Sequence, residues 1–148
     1  MFQTYGDYAA RARDGFARQA AMRSMGITLD DVAPGEMWLS LPFNPDFTQQ
    51  HGFLHAGVIT TALDTAAGFA ALTLMPEDAG VLTAELKTSL MAPARGQMFT
   101  IHGRVVKPGR TLMFTEAVAR AIDGENTREI ARLSATMVVV QGRTDVKG

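Results

Sequence analysis

Residues His55–Pro76 read HAGVITTALDTAAGFAALTLMP, and the conformation of this stretch decides the fold. From His55 to about Leu74 there is no proline, and the alanine content favours a helix. A helix of roughly 20 residues spans about 30 Å, the width of a small domain. It is apolar on nearly every face, so it must be buried on most sides, and Pro76 ends it. Asp64 disagrees with that burial. It is the only Asp, Glu, Lys or Arg between Asp46 and Glu77. A lone carboxylate in a buried helix is costly unless it is paired, hydrogen-bonded or open to a cleft.

Outside this helix the punctuation changes. On the N-terminal side, Gln3 to Met25 has helical spacing, with Tyr5, Tyr8, Ala9, Ala12, Phe16, Ala20 and Met22 near one stripe, and Gly26 as its stop. Arg11, Arg13, Asp14 and Arg18 fall elsewhere. Pro34-Gly35 marks a turn between two short strands, Ile27–Val32 and Glu36–Leu41. Residues 43–54 read as a loop. On the C-terminal side, residues 81–91, 98–107, 111–122 and 127–141 read as strands. The expected apolar face of the second is Phe99, Ile101 and Val105; that of the third is Leu112, Phe114, Val118 and Ile122. Asp123-Gly124 signals a hairpin. The tail at 142–148 is expected to fray. Consecutive strands on short turns are antiparallel. The expected fold is α+β: one 1–148 domain, an antiparallel sheet curved around a long central helix, and an extra N-terminal helix over 1–25.

A chain of 148 residues can bury a real core without staples. The net charge of −1 gives no basic surface for nucleic acid or an anionic membrane. The absence of cysteine excludes disulfides, thiolate zinc sites and cysteine nucleophiles. The N-terminus lacks a signal-peptide apolar region, and a cytoplasmic location is expected.

Two candidate groups come from the residues alone. Asp64 reads either as a general base or nucleophile, or as a structural carboxylate accepting hydrogen bonds from backbone or threonine. Its helical neighbours Gly57, Thr60, Thr61, Ala67, Gly68 and Ala71 are small. They leave room for a substrate or for another subunit. The helix start at His55, Ala56 and Gly57 offers free N–H groups at a positive helix end, suited to a phosphate or a developing oxyanion. Ordinary helix entry is the alternative. A carbonyl bound at the amides could then meet Asp64 two turns on. Gln49 and Thr83 could each place a polar group near this point; solvent or backbone pairing is their alternative. His51 and His55 carry no glutamate beside them, and only His102 remains as a third histidine, so no metal is expected. Phe53, Leu54, Phe69, Met75 and Met91 are either pocket or core.

The stretches TQQHGFLHAGVITTALDTAAGFAALTLMP, LTAELKTSLMAPARG and VVKPGRTLMFTEA together resemble hotdog-fold thioesterases of the PaaI-like group, over roughly residues 36–141. The resemblance implies hydrolysis of an acyl-CoA thioester without a cofactor. It implies Asp64 as the catalytic acid residue, and Ala56 as the residue whose N–H polarises the thioester carbonyl. It implies that His55, the motif histidine, helps fix the loop and contacts the carbonyl. Gln49 holds the carbonyl or a water. Thr83 is supplied across a dimer interface to orient the attacking water. Arg110 and Thr111, with Pro93, Ala94 and Arg95, fall where such enzymes hold the nucleotide end of coenzyme A, and Gly57 beside the helix start joins the substrate-binding residues. Two positions depart from the pattern. His55-Ala56-Gly57 stands for His-Gly-Gly, and a backbone amide needs no glycine. Gln49 stands for Asn, whose shorter side chain reaches about a bond length less far. The resemblance also implies a homodimer with sites at the interface, possibly paired into a dimer of dimers. The alternatives are a hotdog enoyl-CoA hydratase, for which Asp46 and His51 have the spacing but lack the intervening Asn-Pro, and a non-catalytic acyl-CoA-binding protein.

Overall fold

The structure, a computed structural model, describes residues 2–148. The long apolar stretch folds as helix α3, Ala56–Leu72, and the sheet is arranged around it. Before it come α1 (Tyr8–Ala17), α2 (Ala20–Met25), β1 (Thr28–Ala33) and β2 (Glu36–Pro42); after it come β3 (Gly80–Leu90), β4 (Met98–Lys107), β5 (Leu112–Asp123) and β6 (Asn126–Val140). The six strands form one antiparallel sheet in the order β1-β2-β4-β5-β6-β3. One face wraps α3, as expected. No helix among the described residues is long and apolar enough to cross a membrane.

The concave face is filled by alternate residues: Met37, Leu39 and Leu41 on β2, Phe99, Ile101 and Val105 on β4, and Ala131, Leu133, Ala135 and Met137 on β6. The expected face of β4 is therefore correct, and that of β5 is reversed. Leu112 and Phe114 are 42% and 46% exposed on the convex side, whereas Met113, Thr115, Ala117, Ala119 and Ala121 are buried. The cause is the closeness of the helix. A Cβ on Gly103 would lie 2.4 Å from the Ala66 backbone carbon, and Gly103 pairs with Ala117. Where α3 crosses, the sheet tolerates only small side chains, so hydrophobic size points to the wrong face. Gly103→Ala must push backbone against backbone and is expected to destabilise the fold by about 1–3 kcal/mol, read as a lowered urea midpoint at constant m-value.

The N-terminal segment departs from a single helix. Gln19 is extended (φ −79°, ψ 105°) and separates α1 from α2. A straight helix over Gln3–Met25 would run about 35 Å, past the edge of the domain. The break turns Met22 into the core, where it is 1% exposed. Arg11, expected off the packing stripe, instead reaches the C-terminal end of α3. Its guanidinium donates to the carbonyls of Leu72 (2.9 Å), Met75 (2.7 Å) and Pro76 (2.8 Å). Leu72 closes α3, and Met75 and Pro76 follow it. The Leu72 carbonyl also accepts the Met75 N–H and the Pro76 carbonyl the Ala79 N–H, each at 3.0 Å, so Arg11 adds a charged donor at the end of the helix dipole that favours a cation. Burial lowers the Arg11 pKa, opposed by the charge of Glu77. The tail, expected to fray, has no regular structure but packs back: Gly148 N–H donates to the Ala79 carbonyl at 3.1 Å, and Val146 lies against Gly80.

Strand β3 is an edge. Its register with β6 puts Leu86 opposite Ala135 and Leu90 opposite Ala131, on the concave side. Both are nonetheless exposed, at 40% and 55%. They overhang beyond α3, with nothing of this chain to cover them.

Candidate active site

The start of α3 is organised by His55. Its backbone is extended (φ −61°, ψ 139°), and its ring Nδ1 accepts the Gly57 N–H at 2.9 Å. The His55 carbonyl accepts the N–H groups of Val58 (2.9 Å) and Ile59 (3.3 Å). Three first-turn donors are thereby committed, and the Ala56 N–H has no acceptor among the described residues. His55 itself is held by its N–H to the Phe47 carbonyl at 2.9 Å. Gln49 ties the preceding loop together. Its Oε1 accepts from the N–H groups of His51 (2.6 Å) and Phe53 (3.3 Å), which leaves the Nε2 donor free.

These residues border a cavity of about 370 Å³ lined by Gln49, His55, Ala56, Pro93 and Ala94, with apolar walls from Phe53, Leu54, Ile59 and Leu90. Of the five residues left open between pocket and core, Phe53 and Leu54 line it. Phe69 and Met75 are core, and Met91 is 50% exposed on the surface. Ala94 is fixed by accepting the Leu54 N–H at 3.1 Å. Arg95 lies just outside, its guanidinium 5.3 Å from the centre of the Phe53 ring, a cation–π distance.

Asp64 is not in this group. It is half-buried on α3, on the open stripe it shares with Gly57, Thr60 and Thr61. Its Oδ1 accepts the Thr83 hydroxyl at 2.8 Å, and the same hydroxyl lies 3.4 Å from the Met137 sulfur. The Thr83 partner is therefore Asp64 of its own chain. The bulge between Thr83 and Glu85 accompanies a Thr83 side chain directed to α3.

Sequence spacing suggested that one chain brings the Ala56 amide and Asp64 together. The structure keeps them apart. Eight residues of helix are about 12 Å, and first-turn N–H groups point along the axis away from the body of the helix. A carbonyl bound by Ala56 lies off the end of α3, further still from Asp64. The sheet gives the same separation. Ala131 borders the Ala56 cavity and Met137 touches Thr83; six strand residues between them span about 20 Å. Arg95 and Arg110 are likewise divided, at opposite ends of β4. Arg110 sits in the β4–β5 turn, and Thr111 beside it accepts the Val139 N–H at 2.9 Å through its carbonyl.

The three histidines do not converge. His55 caps the helix, while His102 is on the convex face, stacked on Trp38 (centroids 4.7 Å apart) and 2.9 Å from Glu36 through Nε2. The sequence reading missed the Thr60–Thr88 hydroxyl contact at 3.2 Å, which links the open stripe of α3 to β3. The spacing of Thr60 midway between Ala56 and Asp64 was the available signal.

With this geometry in hand, comparisons place the chain among known proteins. The profile of the thioesterase superfamily matches residues 51–127. A solved structure of a thioesterase family protein from Silicibacter pomeroyi is 46% identical with a TM-score of 0.90, covering 91% of this chain and 99% of that one. Human acyl-coenzyme A thioesterase 13 is 32% identical over 90 residues, 60% of this chain and 64% of that protein. The Escherichia coli PaaI protein from the phenylacetic acid degradation operon shares the fold at a TM-score of 0.81 and 14% identity, covering 91% and 94% of the two chains.

Proposed function

The chain belongs to the thioesterase superfamily, and we propose that within it the protein hydrolyses acyl-CoA thioesters at sites formed between two copies of the chain. The observation that carries this is the Ala56 N–H, left without an acceptor at a positive helix end beside an apolar cavity. Such a donor suits a thioester oxygen that gains charge as the tetrahedral intermediate forms. The free Nε2 of Gln49 is a second donor at the same point. Asp64, oriented by Thr83, acts on the carbonyl carbon either directly or through water. In the direct route its oxygen bonds to the carbon, the C–S bond breaks, the thiolate of CoA takes a proton and water cleaves the anhydride. In the other, Asp64 takes a proton from water as the water oxygen bonds to the carbon.

Two copies are needed because one chain separates its donor half from its carboxylate half. The β3 edge supports how they meet. An edge strand with exposed Leu86 and Leu90 calls for cover. Antiparallel pairing of β3 with itself about a two-fold axis runs the two strands in opposite directions. The Thr83–Asp64 half of one chain then approaches the Leu90–Ala56 half of its partner. Asp46 and His51, the spacing that suggests a hydratase, are both exposed with no hydrogen bond between them, which does not favour that reaction.

The test is thiol release from a chemically varied acyl-CoA panel, with crotonyl-CoA hydration run in parallel. Turnover of at least one thioester is expected. Hydration without thiol release, or tight acyl-CoA binding without either reaction, would sink the assignment.

A further inference from the structure

Strand β6 carries an extra residue where it borders the cavity beside Ala56. Ala131 pairs with Ala119 and Glu129 with Arg120, so Ile130 has no partner on β5. This is a β-bulge. Neighbouring residues of a regular strand point to opposite faces, yet Ile130 and Ala131 are both buried, at 1% and 0% exposure, and both line the cavity. The bulge is fixed from two sides. On the convex face Arg132 donates two hydrogen bonds to the Glu129 carboxylate, of 3.0 and 2.8 Å. These side chains are three residues apart and share a face because Ile130 is inserted between them. Toward the β3 edge, the Ile130 carbonyl accepts the N–H groups of Met91 (2.8 Å) and Ala92 (3.2 Å). A bulge re-aims a side chain, and this one turns Ile130 into the cavity wall. With Ile59, also 1% exposed, it closes the cavity toward the core.

The chemistry of the wall selects which part of a thioester fits. Among the described residues, the polar side chains lining the cavity are Gln49 and His55, and both belong to the group around the Ala56 N–H. No cation lines it for the CoA phosphates. The pantetheine arm carries amide groups, and burying them against Leu54, Ile59, Leu90 and Ile130 leaves them without partners. An apolar acyl group gains from the same burial. A benzene ring occupies an apolar cavity of about 150 Å³, so about 370 Å³ holds a larger group. We therefore propose that the cavity seats the acyl group and that Ile130, placed by the bulge, sets the greatest acyl length the protein hydrolyses well. The proposal rests on the acyl-CoA reading and adds the substrate class to it: apolar acyl groups of medium length, with acetyl too short to reach the wall.

The experiment measures thiol release from straight-chain acyl-CoAs lengthened one carbon at a time, using wild type, Ile130→Val and Ile130→Ala. In wild type kcat/KM should rise about fourfold for each methylene buried and stop rising where the chain meets Ile130. Ile130→Ala should move that limit outward by about two to three carbons, and Ile130→Val by about one. The same limit in all three proteins, an equal loss of activity at every length, or a wild-type optimum at acetyl-CoA overturns the proposal. Where Ile130→Ala does not fold, Ile130→Val, which deletes a single methyl group, decides alone. If no acyl-CoA is hydrolysed, the functional reading fails, and calorimetric titration with straight-chain carboxylic acids tests the seat separately. Affinity that climbs about fourfold per methylene to a limit that lengthens in the Ile130 variants supports it; no binding, or the same limit in every protein, removes it.

Discussion

Asp64→Asn is expected to lower kcat on the best acyl-CoA by about 10³-fold, with little change in KM or in the melting temperature. The substitution is nearly isosteric. An asparagine carbonyl oxygen still accepts the Thr83 hydroxyl that now reaches Asp64 at 2.8 Å, so the local structure has no reason to change. What is lost is a carboxylate that can take a proton or attack a carbonyl. A structural carboxylate predicts the reverse pattern, with stability lost and turnover per folded molecule preserved. Near-normal hydrolysis by a folded Asp64→Asn protein would therefore return Asp64 to a structural role. The two chemical routes separate in ¹⁸O-water. An anhydride cleaved at the protein side leaves the label in the Asp64 side chain after turnover, whereas water activated by Asp64 puts all of it in the released acid.

The sequence made most of the scaffold legible because its signals are local. Alanine content and Pro76 bracket α3, and turn residues bracket the strands, all within a few residues of the observed ends. Reading failed where a residue's environment comes from distant chain. Arg11 looks like a surface cation on its own helix; it meets α3 only through contacts some 60 residues away. The face of β5 was reversed because the closeness of α3 to Gly103 is a tertiary fact, and in that crowded centre the smaller residues go inside. The site divides similarly. Asp64 stands out as a solitary charge, and the His55-Ala56-Gly57 start stands out as a helix entrance. What no spacing in one sequence shows is that donor and carboxylate face away from each other along the same helix. The hydroxyl pair Thr83–Asp64 also comes only from the fold, which brings β3 against α3.

The proposed division of the site between two chains has a consequence that a site within one chain cannot share. Ala56→Pro removes the single free N–H at the helix start. The fold should accept it, because proline suits the first helical position and His55 already has the extended backbone (ψ 139°) that a residue before proline adopts. Loss of one oxyanion donor is expected to reduce kcat by about 10²–10³-fold. Ala56→Pro and Asp64→Asn homodimers are each defective in both sites. If the proposed two-chain site holds, the two chains co-expressed with different tags also form mixed dimers. One site of a mixed dimer combines the intact Ala56 half of the Asp64→Asn chain with the intact Asp64 half of the Ala56→Pro chain; the other site carries both defects. Random pairing in equal amounts makes half the dimers mixed, so about one quarter of wild-type activity should return. Purified through both tags, the mixed dimer alone should show about one half. If donor and carboxylate act within a single chain, every site in every combination carries a defect and no activity returns. The recovery depends on which chain supplies each half and not on how Asp64 performs its step, so it tests the two-chain architecture independently of the chemistry.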